Sequence, residues 1–159
     1  MGRLQTFSPT EMRLATATTT FDGTAGAGAV GTVDVFDITG DILLHGFAVK
    51  CTTDLVDTVD GAVLDIGITD DVDFFFDGSN AALDLDTIDA GLWLDFENEV
   101  AQAGYSRVAV DYQGIIRFPI AISSANILYT VATQAITGGT LVAYAHWSPL
   151  SADGNLVAS

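Results

Sequence analysis

Apolar and polar residues alternate with a period of two along most of this chain. In residues 62–69 (AVLDIGIT) an Ala, a Leu and two Ile occupy the even positions, whereas Asp65 and Thr69 stand at odd ones. The segments 126–136 and 141–147 alternate in the same way. Because successive side chains of a β-strand point to opposite faces, this alternation predicts half-buried strands.

Further segments with a strand-like composition are separated by residue pairs that favour turns. The strand candidates are 32–38, 41–51, 83–88, 92–96, 106–112 and 115–122. The turn candidates are Gly40-Asp41, Asp60-Gly61, Asp77-Gly78, Gln113-Gly114 and Asp153-Gly154. Gly138-Gly139 separates two apolar runs and therefore predicts a hairpin turn. Short strands at this spacing predict an all-β fold: an antiparallel β-sandwich, jelly-roll-like, with an extended N-terminal arm.

Composition divides the chain into two regions. Residues 1–30, rich in Thr, Ala and Gly, are predicted to form an N-terminal arm and a Gly-rich connector, and residues 31–159 the β-sandwich body. Helix signals are confined to a capping-box pattern at 8–11 and a stretch of one or two turns at 97–104. Neither segment is long enough to support an α/β framework.

Gly26, Gly28 and Gly31 have the G-x-G-x-x-G spacing of a dinucleotide-binding loop. Such a loop needs a helix immediately after it, because the phosphate sits at the helix N-terminus. Here a strand-like segment, 32–38, follows instead. The glycines are therefore interpreted as a tightly turning or flexible connector between arm and body, and no nucleotide cofactor is predicted.

The charge of the chain is strongly unbalanced. Asp and Glu number 21 against five Lys and Arg, which gives a formal net charge of −16. Nucleic acids and anionic membranes are bound by clustered Lys and Arg, so neither is predicted as a partner. An Asp-rich surface resembles those of salt-adapted proteins, because salt screens self-repulsion. An acidic surface that merely reflects overall composition is the alternative.

Candidate metal ligands crowd one region of the chain. Asp70, Asp71, Asp73 and Asp77 supply oxygen ligands of the kind that Ca²⁺ or Mg²⁺ takes. The EF-hand spacing is absent, so a solvated acidic loop is the preferred interpretation. A weak Ca²⁺ or Mg²⁺ site stays open as the alternative, and no other cofactor is predicted.

Residues that could carry catalysis are few. His45 and His146 each lie in an apolar, strand-like run, which predicts packed or interface histidines. Cys51 is the only cysteine and lacks the flanking residues of a nucleophile, so it is predicted to pack. No nucleophile elbow is present. The chain is therefore predicted not to be an enzyme.

The apolar content instead favours an interaction protein. Residues 118–145 carry no charge and form either core or subunit interface. The candidate interaction residues come from the arm and from the last long strand: Phe7, Met12, Leu14, Phe21, Tyr144 and Trp147. Tyr144, Trp147 and Phe36 are candidate buried anchors, with sandwich core as the alternative for each.

Two segments resemble a family of small β-sandwich virion proteins of tailed viruses of bacteria and archaea. The first is 139–159, in which Trp147 is followed by Pro149-Leu150-Ser151, the turn Asp153-Gly154 and a short apolar tail. The second is 35–55, similar to the family's arrangement of strand, Thr-Gly, strand and Thr-Thr. The large Asp content departs from the family's pattern.

The resemblance implies a capsid decoration, or cement, protein on the exterior of the virion, made in the host cytoplasm. Its partners would be the major capsid protein and copies of itself, in homotrimers where capsid subunits meet. A tail, turret or fibre-base protein is the alternative within the virion. A receptor- or glycan-binding sandwich, which would use exposed aromatic residues such as Trp93 or Phe75 near carboxylates, is the alternative of a different class.

Overall fold

A computed structural model describes residues 12–57, 61–76, 78, 88–95 and 118–159, and within these ranges every regular element is a β-strand. The strands are β1 (Arg13–Thr20), β2 (Gly31–Thr39), β3 (Asp41–Asp57), β4 (Val63–Ile68), β5 (Asp71–Phe76), β6 (Trp93–Asp95), β7 (Ile120–Ser123), β8 (Ile127–Ala132), β9 (Ile136–Pro149) and β10 (Asn155–Ala158). Most predicted strands within the described ranges are confirmed. The predicted helix segments 8–11 and 97–104 and the predicted strand 106–112 lie outside the described residues, as does nearly all of 83–88.

The strands form two antiparallel sheets packed face to face. In the first sheet the order is β1-β9-β3-β6, with β7 also paired to β3; in the second it is β10-β2-β8-β4-β5. The pairs β1–β9, β2–β8, β3–β7 and β4–β5 are nested, as in one long antiparallel ribbon folded over on itself, and β1 to β4 alternate between the sheets. This is the winding of a jelly roll, so the predicted fold is confirmed.

The core lies between the sheets and follows the alternation, except where a bulge shifts it. In β2 the register against β8 slips between Asp34 and Phe36, so Val35 is an extra residue and both Val35 and Phe36 are buried. In β3 the register against β9 slips between Leu44 and Gly46. There the extra residue is His45, which a bulge turns away from the regular ladder.

The predicted hairpin at Gly138-Gly139 is wrong, because both glycines lie inside β9. The turn between β8 and β9 falls earlier, where Gln134 N donates to Ala132 O at 2.7 Å and Thr133 has a positive φ. Gly139 has a φ of +109°, and a Cβ there would lie 2.6 Å from the carbonyl oxygen of Asp54. The glycine allows β3 to approach closely, where the β3–β9 register is irregular.

The region predicted as an N-terminal arm differs from the structure over residues 13–20. These residues form β1, which pairs with β9 from Arg13↔Trp147 to Thr20↔Thr140. The inward side chains of β1 are small, and Ala17 is buried. Thr16, Thr18 and Thr20 fall on the outer side of this edge strand, a position that suits β-branched residues, whereas Thr19 pairs with the buried Leu141. The boundary predicted at about residue 30 therefore does not separate arm from body.

The G-x-G-x-x-G segment forms the loop that carries the chain from the first sheet to the second. Asp22 N and Gly23 N donate to Ala27 O at 2.7 and 3.1 Å, and Ile136 N donates to Gly28 O at 2.8 Å. Gly28 is buried with a φ of +113°, and a Cβ there would overlap the carbonyl oxygen of Ile136. The loop is a packed crossing between sheets, with a strand on each side.

Candidate functional site

The outward face of the first sheet is distinguished by its basic and aromatic residues. We call it the first-sheet face, and its described members are Leu14, Thr16 and Thr18 of β1, Val142, Tyr144 and His146 of β9, Ala48 and Lys50 of β3, and Trp93 and Asp95 of β6. Neither β1 nor β9 contains an Asp or a Glu, and the acids of β3 stand near its ends, at Asp41, Asp54 and Asp57. The one acid among these members, Asp95, belongs to the edge strand β6, where its Cα pairs with that of Ala48.

Three residues form a stacked group at the middle of the first-sheet face. The rings of Trp93 and Tyr144 have centroids 5.5 Å apart and an interplanar angle of 36°. Lys50 Nζ lies 5.3 Å from the centroid of the Trp93 ring, within the range of a cation–π interaction. All three side chains are half-buried, so they combine a fixed geometry with an accessible surface.

The two histidines extend this face along β9 and β3. His146 is exposed and faces outward between Ala145 and Trp147, which point into the core, as the alternation predicted. His45 Nε2 lies 2.8 Å from Ser148 Oγ, so the bulge residue of β3 bonds to the end of β9.

The outward positions of the second sheet have the opposite character. Asp34 of β2 is exposed, Asp37 of β2 accepts a hydrogen bond from Asn126 Nδ2 at 2.9 Å, and Asp65 of β4 accepts one from Gly78 N at 2.8 Å. The edge strand β5 adds Asp71 and Asp73, both exposed. Within the described ranges, every Lys, Arg and His belongs to the first sheet. The sandwich is therefore electrically asymmetric across its thickness.

The predicted interaction residues separate into exposed and core positions. Met12 and Leu14 are 66% and 59% exposed, and Tyr144 belongs to the first-sheet face. Phe21 and Trp147 are each only 2% exposed: Phe21 packs against Tyr129 at 6.2 Å, and Trp147 lies under the guanidinium of Arg13 at 5.1 Å. Their burial is explained by the core of this chain. Phe7 lies outside the described residues.

Two further aromatic candidates are core residues as well. Phe36 is fully buried, in agreement with the alternative of sandwich core. Phe75 is buried and packs against Phe47 at 4.8 Å, so it does not supply the exposed aromatic residue that the glycan-binding alternative requires. Trp93 is the aromatic residue of that hypothesis that has accessible surface, and its neighbour is a lysine.

The acidic segment of the second sheet holds its carboxylates at the surface. Asp73 raises the pKa of Asp71, through a hydrogen bond between the two side chains and through their like charges. In the ranges that the structure describes, no three His, Cys, Asp or Glu side chains are grouped as they would be around a metal ion. Asp70, Asp71 and Asp73 belong to these ranges, whereas Asp77 does not.

Cys51 and Asp22 are held by local hydrogen bonds. Cys51 Sγ donates to Thr53 O at 3.1 Å, and burial raises the pKa of the thiol. The carboxylate of Asp22 accepts hydrogen bonds from Thr24 Oγ1 at 2.6 Å and from Thr24 N at 2.9 Å, which lowers the pKa of Asp22. Both groups therefore stabilise the local backbone.

The two segments that carry the family resemblance meet in the structure. Asp41 N donates to Ser151 Oγ at 2.8 Å, and Leu150 N donates to Asp41 O at 2.8 Å. Gly40 has a φ of +60°, and a Cβ there would lie 2.7 Å from Asp153 Oδ1 and from Ser151 Oγ. The Thr-Gly pair and the Pro-Leu-Ser segment are thus two halves of one junction between β2, β3, β9 and β10.

Comparison with models of known families, with curated proteins and with solved structures found no match for this chain. Within the described ranges there is no helix with the length and apolar character needed to cross a membrane.

Sequence reasoning missed the role of Lys50 and the grouping of Trp93 with Tyr144. The alternation in 41–51 places Lys50 opposite the buried Val49 and Cys51, so its outward direction was available from the sequence. The pairing of β3 with both β6 and β9, which brings the three side chains together, depends on contacts between distant segments. A single sequence gives no signal for such contacts.

Proposed function

We propose that this chain is a viral structural protein that decorates the outside of a capsid and stabilises it. The first-sheet face contacts the major capsid protein, and the acidic second sheet faces solvent. The protein acts by binding alone, with no chemical step and no cofactor. The proposed location is the exterior of the virion, after synthesis in the host cytoplasm.

The observation that carries this proposal is the charge asymmetry of the sandwich. A chain of net charge −16 meets the least electrostatic repulsion from another acidic protein where its own carboxylates are absent. The first-sheet face comes nearest to that condition, because β1 and β9 contain no acid and Asp95 stands on the edge strand β6. There Trp93, Tyr144 and Lys50 form the kind of aromatic and cationic group that anchors interfaces. The outward acids keep decorated particles soluble and apart.

Self-association completes the proposed assembly. The resemblance implies trimers at the positions where capsid subunits meet, and three linked copies bind more tightly than one through effective concentration. A standard interface of roughly 1,600 Å² per contact gives specific attachment without any catalytic group.

The proposal is tested by rebinding purified protein to particles from which it has been removed. His146→Asp places a carboxylate on the first-sheet face, and Thr32→Asp places the same group at an exposed position of β2 on the second sheet. We expect His146→Asp to weaken particle binding at least tenfold, a change of about 1.4 kcal/mol, and Thr32→Asp to change it less than about twofold. Equal effects of the two variants would contradict the proposed orientation.

Copy number separates decoration from the alternative of a tail, turret or fibre-base protein. Quantitative proteomics of purified particles should find hundreds of copies per particle for a decoration protein. A few dozen copies or fewer would exclude decoration and favour the tail or turret.

A glycan-binding sandwich is the second candidate, because Trp93 and Tyr144 offer accessible aromatic rings on a rigid sheet. Binding of the isolated protein to a glycan array, lost in Trp93→Ala and kept in Thr32→Asp, would support this function. Absence of binding at millimolar glycan would leave Trp93 as a protein anchor.

A further inference from the structure

The outer edge of β1 offers a regular row of backbone groups. Phe21 N donates to Gly139 O at 2.9 Å, which makes Phe21 and Gly139 a hydrogen-bonded pair and continues the β1–β9 register. Hydrogen-bonded and non-hydrogen-bonded pairs alternate along an antiparallel ladder, so the odd residues of β1 bond to β9. The N–H and C=O groups of Leu14, Thr16, Thr18 and Thr20 consequently point away from β9.

This edge lacks the features that usually prevent strands from pairing. β1 pairs with β9 without a bulge over its eight residues, it contains no proline, and its only charged residue is Arg13 at one end. Leu14, Thr16, Thr18 and Thr20 are all exposed, and within the described ranges only β9 pairs with β1. An edge strand of eight residues without a bulge or a proline is a template for another strand.

A second copy of the same chain can occupy this edge without bringing acids into contact. Two copies of a protein with a net charge of −16 repel each other wherever their carboxylates meet. β1 and its neighbour β9 contain no Asp or Glu, so edge-to-edge contact along β1 keeps acids out of the interface. Threonines opposite each other across antiparallel strands also stabilise the pair.

We infer that two copies of this chain pair antiparallel along β1, about a two-fold axis at Ala17. In this register Thr16 of one copy faces Thr18 of the other, and Leu14 faces Thr20. The N–H and C=O groups of these four residues point towards the open edge of β1, so the pairing satisfies all of them on each strand. Neither copy places its Arg13 opposite the other Arg13.

The contact joins the two first sheets into one continuous sheet. Because the two-fold axis runs perpendicular to the sheet, both first-sheet faces point in the same direction. Two copies can therefore bind one underlying surface at the same time. On a capsid, this two-fold contact links copies that belong to neighbouring trimers, but the pairing itself requires no capsid.

Single cysteine variants of the full-length protein test the register. At the two-fold axis the Ala17 residues form a non-hydrogen-bonded pair, with Cα atoms about 4.5 Å apart, which suits a disulfide. We expect Ala17→Cys to give a dimer on a denaturing, non-reducing gel after mild oxidation of the purified protein. Thr18→Cys is the matched control, because the Cα atoms of position 18 in the two copies would lie about 8 Å apart or more. Val157→Cys on β10, an edge of the second sheet, controls for random collision.

A proline variant tests the contact without any cross-link. Thr16→Pro removes an N–H that points to the open edge, so it leaves the β1–β9 hydrogen bonds in place. We expect the dimer dissociation constant, measured by sedimentation, to rise at least tenfold, with little change in the melting temperature. The inference is overturned if Thr18→Cys or Val157→Cys cross-links as readily as Ala17→Cys. It is also overturned if Thr16→Pro leaves association unchanged. Because no particle is present, either failure leaves the capsid proposal standing.

Discussion

The two sheets of this sandwich obey the same alternation but present opposite outer surfaces. Outward positions of the second sheet hold Asp34, Asp37 and Asp65, whereas the first-sheet face centres on Lys50, with Trp93 and Tyr144 stacked beside it. Both sheets need polar or tolerant residues facing outward, and threonine would satisfy that need on either side. The placement of carboxylates is therefore not required by the fold, and the proposed function assigns the two faces different surroundings for that reason.

The loop between β1 and β2 fixes how the two sheets pack against each other. Gly28→Val would overlap the Ile136 carbonyl at a φ that a valine does not adopt, so we expect a loss of about 4 kcal/mol or more in the free energy of unfolding. Gly26→Val is the matched control: Gly26 also has a positive φ, but a Cβ there meets nothing within 4 Å. Its expected cost is about 1–2 kcal/mol. Chemical denaturation measures both, and similar losses would show that the loop is not packed as described.

Tyr129 tests the packing between the inner faces of the two sheets. This residue of β8, in the second sheet, is fully buried, and among the residues that the structure describes its hydroxyl has no hydrogen-bond partner. An unpartnered buried hydroxyl costs about 1–3 kcal/mol, so Tyr129→Phe is expected to stabilise the protein by an amount in that range. A loss of stability in Tyr129→Phe would mean that the hydroxyl has a partner.

Tyr129 also predicts how stability depends on alkaline pH. Burial raises the pKa of Tyr129 above its ordinary value of 10.0, so above about pH 10 the unfolded chain loses this proton while the folded chain keeps it. Folding stability should then fall by about 1.4 kcal/mol per pH unit from this group. Denaturation curves from about pH 9 to about pH 11, on either side of the ordinary pKa, should show that fall in the wild type and a smaller one in Tyr129→Phe.

The outer faces predict a smaller effect at Lys50. Lys50→Met keeps the aliphatic stem but removes the charge over Trp93, so we expect a loss of about 0.5–1 kcal/mol in stability. Lys50→Arg should retain most of the interaction. Thermal unfolding of the three proteins distinguishes these outcomes, and a neutral Lys50→Met would mean that the cation does not contribute to the stacked group.

Salt should act mainly through the acidic side of the molecule. The Debye length falls to about 3 Å at 1 M salt, which weakens repulsion between the carboxylates. The melting temperature should therefore rise between low and molar NaCl. Asp34→Asn and Asp73→Asn each remove an exposed carboxylate and should make that rise smaller. The expected change in the salt-dependent part of the unfolding free energy is about a few tenths of a kcal/mol for each variant. Thr16→Asn on the first-sheet face is the uncharged control. An unchanged melting temperature in salt would mean that the Asp-rich surface is not an adaptation to salt and reflects overall composition.

The fold could be predicted from the sequence more fully than the surface could. Alternation identifies strands such as β4 because each inward residue can be read from its neighbours, and many such strands favour a β-sandwich. The nested strand order depends on long-range pairings that alternation does not encode. The composition of 13–20 predicts an arm because Thr and Ala give no apolar stripe, although an edge strand over small residues needs none. Gly138-Gly139 resembled a turn because close approach of two strands and chain reversal select the same residue. The group at Trp93 arises from two long-range pairings, which local patterns do not encode.

The most direct test is a cryo-electron microscopy map of the purified particle with this protein bound. We expect hundreds of copies on the capsid exterior, each with Lys50, Trp93 and Tyr144 against the capsid and Asp34 towards solvent. A map with the second sheet against the capsid, or with only a few dozen copies at the tail, would contradict this expectation.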